Sequence, residues 1–485
     1  MAPSAVSTRD HDLPNGMRDT STAIPRHPLG VKPSGNAYTS TVNLKDHAGA
    51  FAVLPDELLI SFLEYLHVPE LLRLGTACKA LYAFTSAEEL WRAAFLELHP
   101  EQFEWRGNWR WTCLGLPPER RTRIDCRGLF SDALYRPFFC AYTPLNQYAA
   151  DIPTENRIAR LDDLTSEEFH DQWINKPFIL TKPVTEWPVY RDWTVEALLR
   201  DHAETKFRAE AVDWPLRTYF SYLENSHEES PLYLFDRGFA EKMQVKIGRA
   251  SEDAIYWPPD CFGEDLFSVL GEQRPDSKWL IIGPARSGST FHKDPNGTSA
   301  WNAVLTGSKY WIMFPSSPTL PPPPGVILSA DQSEITSPLS IAEYLLSFHE
   351  IARSTPGCRE GICNAGEVLH VPSGWFHLVL NLDASIAITQ NFVPQKKLPD
   401  VLAFLKDSPD QVSGFTDDVE DPYGLFVERL REQYPSLLEE AFKVMERRGK
   451  EHKSKWEQLV KKPDEGDQEA GGFSFGFGGD EDEDE

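Results

Sequence analysis

The chain reads as an α+β protein: a two-sheet β jelly roll between an amino-terminal helical module and a carboxy-terminal helical region. Three observations predict this. Short apolar runs around Gly307, and again on both sides of a tight turn at Asp383, read as β-hairpins, and repeated hairpins build a jelly roll whose mouth holds a small ligand. Leu54-Pro-Asp-Glu-Leu-Leu-Ile-Ser-Phe-Leu-Glu-Tyr-Leu66 carries apolar residues at helical spacing. Leu437 to Lys462 reads as a further helix with a basic second half.

Residues 1–48 are rich in Ser, Thr, Pro, Gly and charge without an apolar period, and are expected to be disordered. They contain no apolar run of signal-peptide or membrane length, so secretion and membrane insertion are not expected. In residues 49–98 a first helix is predicted over Leu54–Leu66, with Pro55 at its first position and acids in its first turn. A second helix starts at Pro69 and runs through Gly75 toward Tyr82, and a third covers Ser86–Leu98 around Trp91.

Residues 99–154 form an aromatic-rich connector. Its stretch Glu104-Trp-Arg-Gly-Asn-Trp-Arg-Trp-Thr112 interleaves arginine with tryptophan, which in an acidic chain predicts cation–π packing between the helical module and the β region in preference to base stacking. Residues 155–395 hold the β region. Within it, 318–357, with Pro321-Pro-Pro-Pro324 and an amphipathic stretch at Ile341–Leu346, reads as an insertion at the rim. Residues 396–462 are expected to be helical and able to pack on the β region or on a second copy, giving a homodimer. Residues 463–485 read as an acidic, Gly/Phe-rich disordered tail.

At 485 residues the chain has room for two or three domains and a substantial core. The net charge of −26 disfavours direct, non-specific nucleic-acid binding. The acidic tail either attracts basic partners such as histones or arginine-rich proteins, or serves only as a solubiliser. Seven cysteines without a Cys-x-x-Cys pair fit a reducing compartment and give no zinc site.

The chemistry concentrates at three residues. His292 and Asp294 are two apart, so on an extended chain both reach one ion while Lys293 points away. His377, in Val371-Pro-Ser-Gly-Trp-Phe-His377, lies 85 residues on (377 − 292) and needs the fold to bring it back. Two histidines and one carboxylate leave three positions open on an octahedral ion, the arrangement of non-haem iron(II) oxygenases. Lys309 opens the strand-like run Tyr310-Trp-Ile-Met-Phe314 and is either an edge charge reaching for water or an anion anchor; position alone leaves these equal.

The stretch Lys278–Val393 resembles the catalytic core of the JmjC oxygenases, which are cupin-like and use iron(II), 2-oxoglutarate and dioxygen. The carrying residues are Gly283-Pro-Ala-Arg-Ser-Gly288, Gly297-Thr-Ser-Ala-Trp-Asn302, Gly307-Ser-Lys309, Val371-Pro-Ser-Gly-Trp-Phe-His377 and Asn381-Leu-Asp-Ala-Ser-Ile-Ala-Ile-Thr-Gln-Asn-Phe392, with Asn175-Lys-Pro-Phe-Ile-Leu-Thr181 and Ser230-Pro-Leu-Tyr-Leu-Phe-Asp236 upstream. It is most similar to the branch of lysyl hydroxylases and arginine demethylases.

The resemblance implies iron on His292, Asp294 and His377, and the distal carboxylate of 2-oxoglutarate on Lys309, helped by Tyr233, Ser289, Asn302 and Thr389. Ser289 stands where that branch has threonine. Read without the resemblance, Tyr233 is a core tyrosine, and Asn302 and Ser289 are hydrogen-bonded turn residues. It also implies a basic protein substrate, hydroxylated on a lysine carbon or demethylated at an N-methyl group, and points to the nucleus, with the cytoplasm also open.

At the amino end, Leu54-Pro-Asp-Glu-Leu-Leu59, Leu71-Leu-Arg-Leu74, Cys78-Lys-Ala-Leu-Tyr82 and Leu90-Trp-Arg92 in this order resemble the F-box, which docks on the adaptor of SCF ubiquitin ligases. The module is then either an adaptor-binding element, with Leu54, Pro55, Leu58 and Leu59 forming an exposed or half-exposed apolar edge that docks on the adaptor, or a structural brace. An SCF substrate receptor whose jelly roll recognises a target protein is the alternative to an oxygenase.

Overall fold

Alternating side chains build two sheets in this computed structural model, which describes residues 24–100, 102–317, 319–329, 335–337 and 339–460. Of the tails expected at 1–48 and 463–485, residues 1–23 and 463–485 lie outside the described residues. Two short two-stranded ribbons aside, the strands of these sheets are β1 (Ala159–Leu161), β2 (Phe178–Leu180), β3 (Lys206–Ala209), β4 (Val212–Pro215), β5 (Leu234–Asp236), β6 (Lys278–Gly283), β7 (Gly288–His292), β8 (Ser299–Thr306), β9 (Ser308–Phe314), β10 (Arg359–Asn364), β11 (Val368–Val371), β12 (Phe376–Asn381) and β13 (Ser385–Phe392).

The larger sheet has nine strands in the order β1-β2-β11-β8-β13-β6-β5-β3-β4; it is mixed, since β1 and β2 pair parallel and the other neighbours antiparallel. The smaller has the order β10-β9-β12-β7. The two face each other: Ala300, Val304, Leu369 and Val371 of the larger pack against Trp311, Met313, Cys363 and Val379 of the smaller. Gly307 turns β8 into β9 and crosses the chain from one sheet to the other. It does so at φ +76, where an added Cβ would sit 2.4 Å from the Ala384 carbonyl.

The outer face of each sheet is covered. Behind the smaller, α7 (Ile341–Ser354) lays Ile341, Ala342, Tyr344 and Leu345 against Phe291, Tyr310, Ile312, Phe314, Phe376 and Leu378. Within the stretch 318–357 expected as a rim insertion, α7 therefore backs the sheet, and its first residue, Ile341, also reaches the cavity described below. Behind the larger sheet, Trp301, Leu305, Ile386 and Ile388 belong to a core that continues through Trp214, Tyr222 and Trp109 to Trp91, Leu63 and Leu59.

That continuity joins the amino-terminal helices to the β region. They are α1 (Asp56–Leu63), α2 (Val68–Gly75), α3 (Lys79–Phe84) and α4 (Glu88–Leu98), followed in the connector by α5 (Trp109–Cys113) and α6 (Asp132–Tyr142). Pro55 caps α1 instead of opening it, and the second predicted helix divides at Thr76 into α2 and α3. Trp109 is the hinge-pin, 5.9 Å from Trp214 and 6.1 Å from Tyr222 between ring centroids, and such a buried aromatic contributes roughly 3 kcal/mol. The expected cation–π contacts form, with Arg92 over Trp109 at 5.7 Å and Arg110 over Trp91 at 5.4 Å.

Residues 24–48, read from composition as disordered, carry three-residue helical turns and a bridge from Lys32 to Phe130 of the connector. Val31 and Ala48 are buried there, so a polar segment is held by a few apolar anchors that its composition does not reveal. At the other end α8 (Leu398–Asp407), α9 (Pro422–Gln433) and α10 (Pro435–Val460) enclose their own core with Leu266, Phe267 and Leu270. Among the described residues every cysteine is free, and no helix is long and apolar enough to cross a membrane.

Candidate metal and co-substrate site

Strand pairing brings the predicted ligands together. His292 ends β7 and lies directly opposite His377 on β12. Between Ser289 and His292 strand β7 has one more residue than β12 has between Val379 and His377, a bulge that turns Ser289 and His292 to the same inner face. At the start of β7 the strands approach so closely that a Cβ on Gly288 would lie 1.9 Å from the Val379 carbonyl. Asp294 follows in extended conformation and precedes the turn Pro295–Gly297, which its carboxylate does not cap.

One donor atom from each of His292, Asp294 and His377 can be chosen so that all lie within 4.8 Å of one another. The two imidazoles are 4.1 Å apart between centroids. Each is oriented through Nδ1, His292 against the Thr290 carbonyl at 2.8 Å and His377 against the Trp375 carbonyl at 3.1 Å. A carbonyl accepts only from N–H, so these bonds put the proton on Nδ1 and leave the Nε2 lone pair for an ion. Burial pushes both imidazoles down to about 4, His292 also through its neighbour His377, so both are neutral at pH 7. Burial raises the Asp294 carboxyl to about 6, and its Oδ2 is enclosed without a hydrogen-bond partner. Two neutral imidazole donors and an unpartnered carboxylate oxygen fit a divalent iron and lack only its positive charge.

Along the same inner face lies Lys309. It is on β9, an interior strand, and is fully buried, so the edge-charge reading is removed. Its ammonium donates to the Tyr233 hydroxyl and to Asn381 Oδ1, each at 2.7 Å. Both partners are neutral, and burial lowers the amine to about 7. Asn381 was not marked by sequence reasoning as a site residue, although its block was noted. The signal that would have found it is its place four residues after His377, on the same face of one strand. Those four residues separate the triad from Lys309 by about 13 Å, a span that a lysine stem and a five-carbon dicarboxylate together cover.

Asn302 and Thr389 face this space from the larger sheet as directly opposed partners on β8 and β13. Thr389 donates to the Trp301 carbonyl at 2.8 Å, and Asn302 Oδ1 is buried without a partner. Tyr233, Ser289 and His292 share the wall of a cavity of about 640 Å³ with Arg208, Glu210, Glu229 and Arg286. Arg286 is spent structurally, donating to the carbonyls of Cys140 and Thr143 at the end of α6.

Residues 166–397 match the family described as Cupin-like domain, and residues 51–97 match F-box-like. The chain is 37% identical over 468 residues to the Arginine-specific demethylase JMJ22 of Arabidopsis thaliana, covering 93% of this chain and 90% of that one. It is 33% identical over 306 residues to the Bifunctional arginine demethylase and lysyl-hydroxylase psr-1 of Caenorhabditis elegans, covering 59% of this chain and 71% of that one. To the Lysine-specific demethylase JMJ21 of Arabidopsis thaliana it is 31% identical, over 72% of this chain and 37% of that one. With a donor triad suited to iron(II) between two facing sheets and the similarity to the Arabidopsis arginine-specific demethylase along 93% of its length, the chain belongs to the JmjC-type iron(II)- and 2-oxoglutarate-dependent oxygenases, in an arrangement that adds an F-box-like module at the amino end.

Proposed function

We propose that this oxygenase hydroxylates a basic side chain of a protein, with His292, Asp294 and His377 holding iron(II) and Lys309 holding the far carboxylate of 2-oxoglutarate. The observation that carries the reading is Lys309: a fully buried ammonium with only neutral partners, on the same face as three unshared metal donors. A buried charge without a counter-charge is costly, and a dicarboxylate supplies the missing one. In this reading the two sheets are the halves of a jelly roll with the co-substrate between them.

Bound iron(II) supplies the oxidising chemistry, coupling decarboxylation of the 2-oxo acid to succinate with activation of dioxygen. The chain's own residues bind, orient and shield. The Thr290 and Trp375 carbonyls fix both imidazoles as neutral Nε2 donors. Tyr233 and Asn381 aim the Lys309 ammonium, while Asn302, Thr389 and Ser289 add polar atoms to an otherwise apolar wall of Ile281, Trp311, Val379 and Ala387. That wall excludes water from the reacting atoms.

The relatives named as arginine demethylase and lysyl-hydroxylase support a lysine or methylated arginine as the target, and the carboxylate of Glu229 in the cavity wall suits a cationic side chain. Hydroxylation of a lysine carbon gives a stable alcohol; hydroxylation of an N-methyl group releases formaldehyde. The test is succinate formation with lysine-rich, methylarginine-containing and neutral peptides, with mass spectrometry separating gain of one oxygen from loss of a methyl. Equal turnover of neutral peptides removes the basic substrate and leaves the oxygenase.

The F-box-like module supports a second role, docking on an SCF adaptor. Val53, Leu58, Phe62 and Tyr65 are exposed around α1, whereas Leu59, expected on that edge, is buried in the core because it lies on the opposite side of the helix. Nuclear residence is proposed from the demethylase relatives.

A further inference from the structure

We propose that Arg92, on α4 of the F-box-like module, is a positioning residue for the oxygenase site, acting through Glu210 and the segment 230–233 on Tyr233. The inference rests on the assignment of Lys309 and Tyr233 to 2-oxoglutarate.

Arg92 reaches out of its module with both terminal nitrogens. Nη2 donates to Glu210 Oε2 at 2.6 Å, and Nη1 donates to the Ser230 carbonyl at 2.9 Å and lies 3.5 Å from Glu228 Oε2. The other oxygen of Glu210 accepts the backbone N–H of Tyr233 at 3.2 Å. Tyr233 in turn places its hydroxyl 2.7 Å from the Lys309 ammonium. One guanidinium thus grips the strand leading into Tyr233 at two points, and Glu210 and Tyr233 share the cavity wall with His292. The fork geometry suits arginine and not lysine, because two separate acceptors are engaged at once.

The backbone at Glu210 strengthens the case. It occupies the tight turn between β3 and β4 at φ +50, a conformation that a glutamate holds only at a cost of about 1 kcal/mol and that glycine adopts freely. The carboxylate spanning Arg92 and Tyr233 is what the position gains from that residue. On the Arg92 side the guanidinium lies over Trp109 at 5.7 Å, so its base is fixed by the aromatic core that joins the two parts of the chain.

The experiment uses the full chain loaded with manganese(II) without oxygen, with 2-oxoglutarate affinity read by calorimetry, and the iron(II)-loaded chain for KM and kcat of succinate formation. Arg92→Ala is expected to weaken 2-oxoglutarate binding and raise its KM about 5- to 30-fold, with metal affinity unchanged and kcat little altered. Arg92→Lys recovers only part of the loss, and Glu210→Gln, which keeps an acceptor for Tyr233 N–H, loses less than Arg92→Ala. Combined with Tyr233→Phe, Arg92→Ala adds little further loss. A lowered thermal midpoint with wild-type 2-oxoglutarate affinity makes Arg92 simple packing and overturns the proposal, as does full additivity with Tyr233→Phe. If Arg92→Ala does not fold, Arg92→Lys and Glu210→Gln decide on the same readouts. Lys309→Ala and Tyr233→Phe run alongside; wild-type 2-oxoglutarate affinity in both overturns the co-substrate assignment itself.

Discussion

Two buried polar clusters sit back to back on β9 and are built on opposite principles. Tyr310 faces outward, donating to Glu360 and lying 3.0 Å from His349 Nε2, while Glu360 also accepts from Arg353 at 2.7 Å and from Asn156 at 3.0 Å. Burial pushes the Glu360 carboxyl up, but the bonds from Arg353, Tyr310 and Asn156 outweigh it and hold it below its ordinary range. Lys309, one residue earlier, faces inward with a phenol and an amide and no carboxylate. Burial there goes unanswered and the amine falls to about 7. A buried charge whose partners are complete holds structure together; one whose partner is missing marks where a ligand belongs. The contrast separates the brace from the proposed co-substrate anchor on a single strand.

The sharpest break is at the metal end. His292→Ala with His377→Ala should reduce iron binding and succinate formation to background, since one carboxylate cannot hold the ion; metal analysis after gel filtration checks this. Retained iron at wild-type stoichiometry would end the assignment.

Next come the two sides of β9. Lys309→Met should raise the 2-oxoglutarate requirement roughly 10- to 100-fold, leave iron bound, and leave thermal stability equal or higher, because it removes a charge that folding desolvates. Arg353→Ala should do the reverse. It leaves Glu360 enclosed with only the neutral donors Tyr310 and Asn156, at a cost of about 2–3 kcal/mol, toward the low side because Arg353 keeps 21% of its side chain exposed, with KM for 2-oxoglutarate unmoved. Differential scanning calorimetry together with KM measurement scores both, and the same response from both variants would erase the distinction.

Acidity sharpens it further. Glu360 has a lowered pKa in the folded chain, so its contribution is complete above the ordinary carboxylate range of about 4.3 and is lost as pH falls through the lower folded value. Lys309 behaves oppositely in binding: its free amine loses the proton near pH 7, and a bound carboxylate raises that value, so 2-oxoglutarate affinity should fall by up to about tenfold per pH unit above 7. Lys309→Arg should flatten the profile, and a flat wild-type profile would count against the anchor. The smallest expected effect on catalysis is at the amino end. Leu58→Asp with Phe62→Asp should abolish adaptor capture in a pull-down while changing succinate formation less than twofold, because both side chains are exposed.

Much of this was legible in the order of residues. His292 and Asp294 are brought near by the geometry of an extended chain, which needs no partner strand. The helices near Leu54–Leu98 follow from apolar spacing, and their ends moved by a few residues because Pro55 and Thr76 act locally. The packing of residues 24–48 was not legible, since a few buried side chains in a polar segment leave no period to read.

The set of donors, the strand-rich centre and the helical flanks are written in residue type and short-range periodicity. The tertiary structure alone decided that His377 returns opposite His292, that Lys309 lies on an interior strand with Asn381 as its neighbour, and that Arg92 reaches across to Glu210. Each of these is a contact between residues far apart in the chain, fixed by sheet register and by burial. None of the three exists until the two sheets and the aromatic core have closed over them.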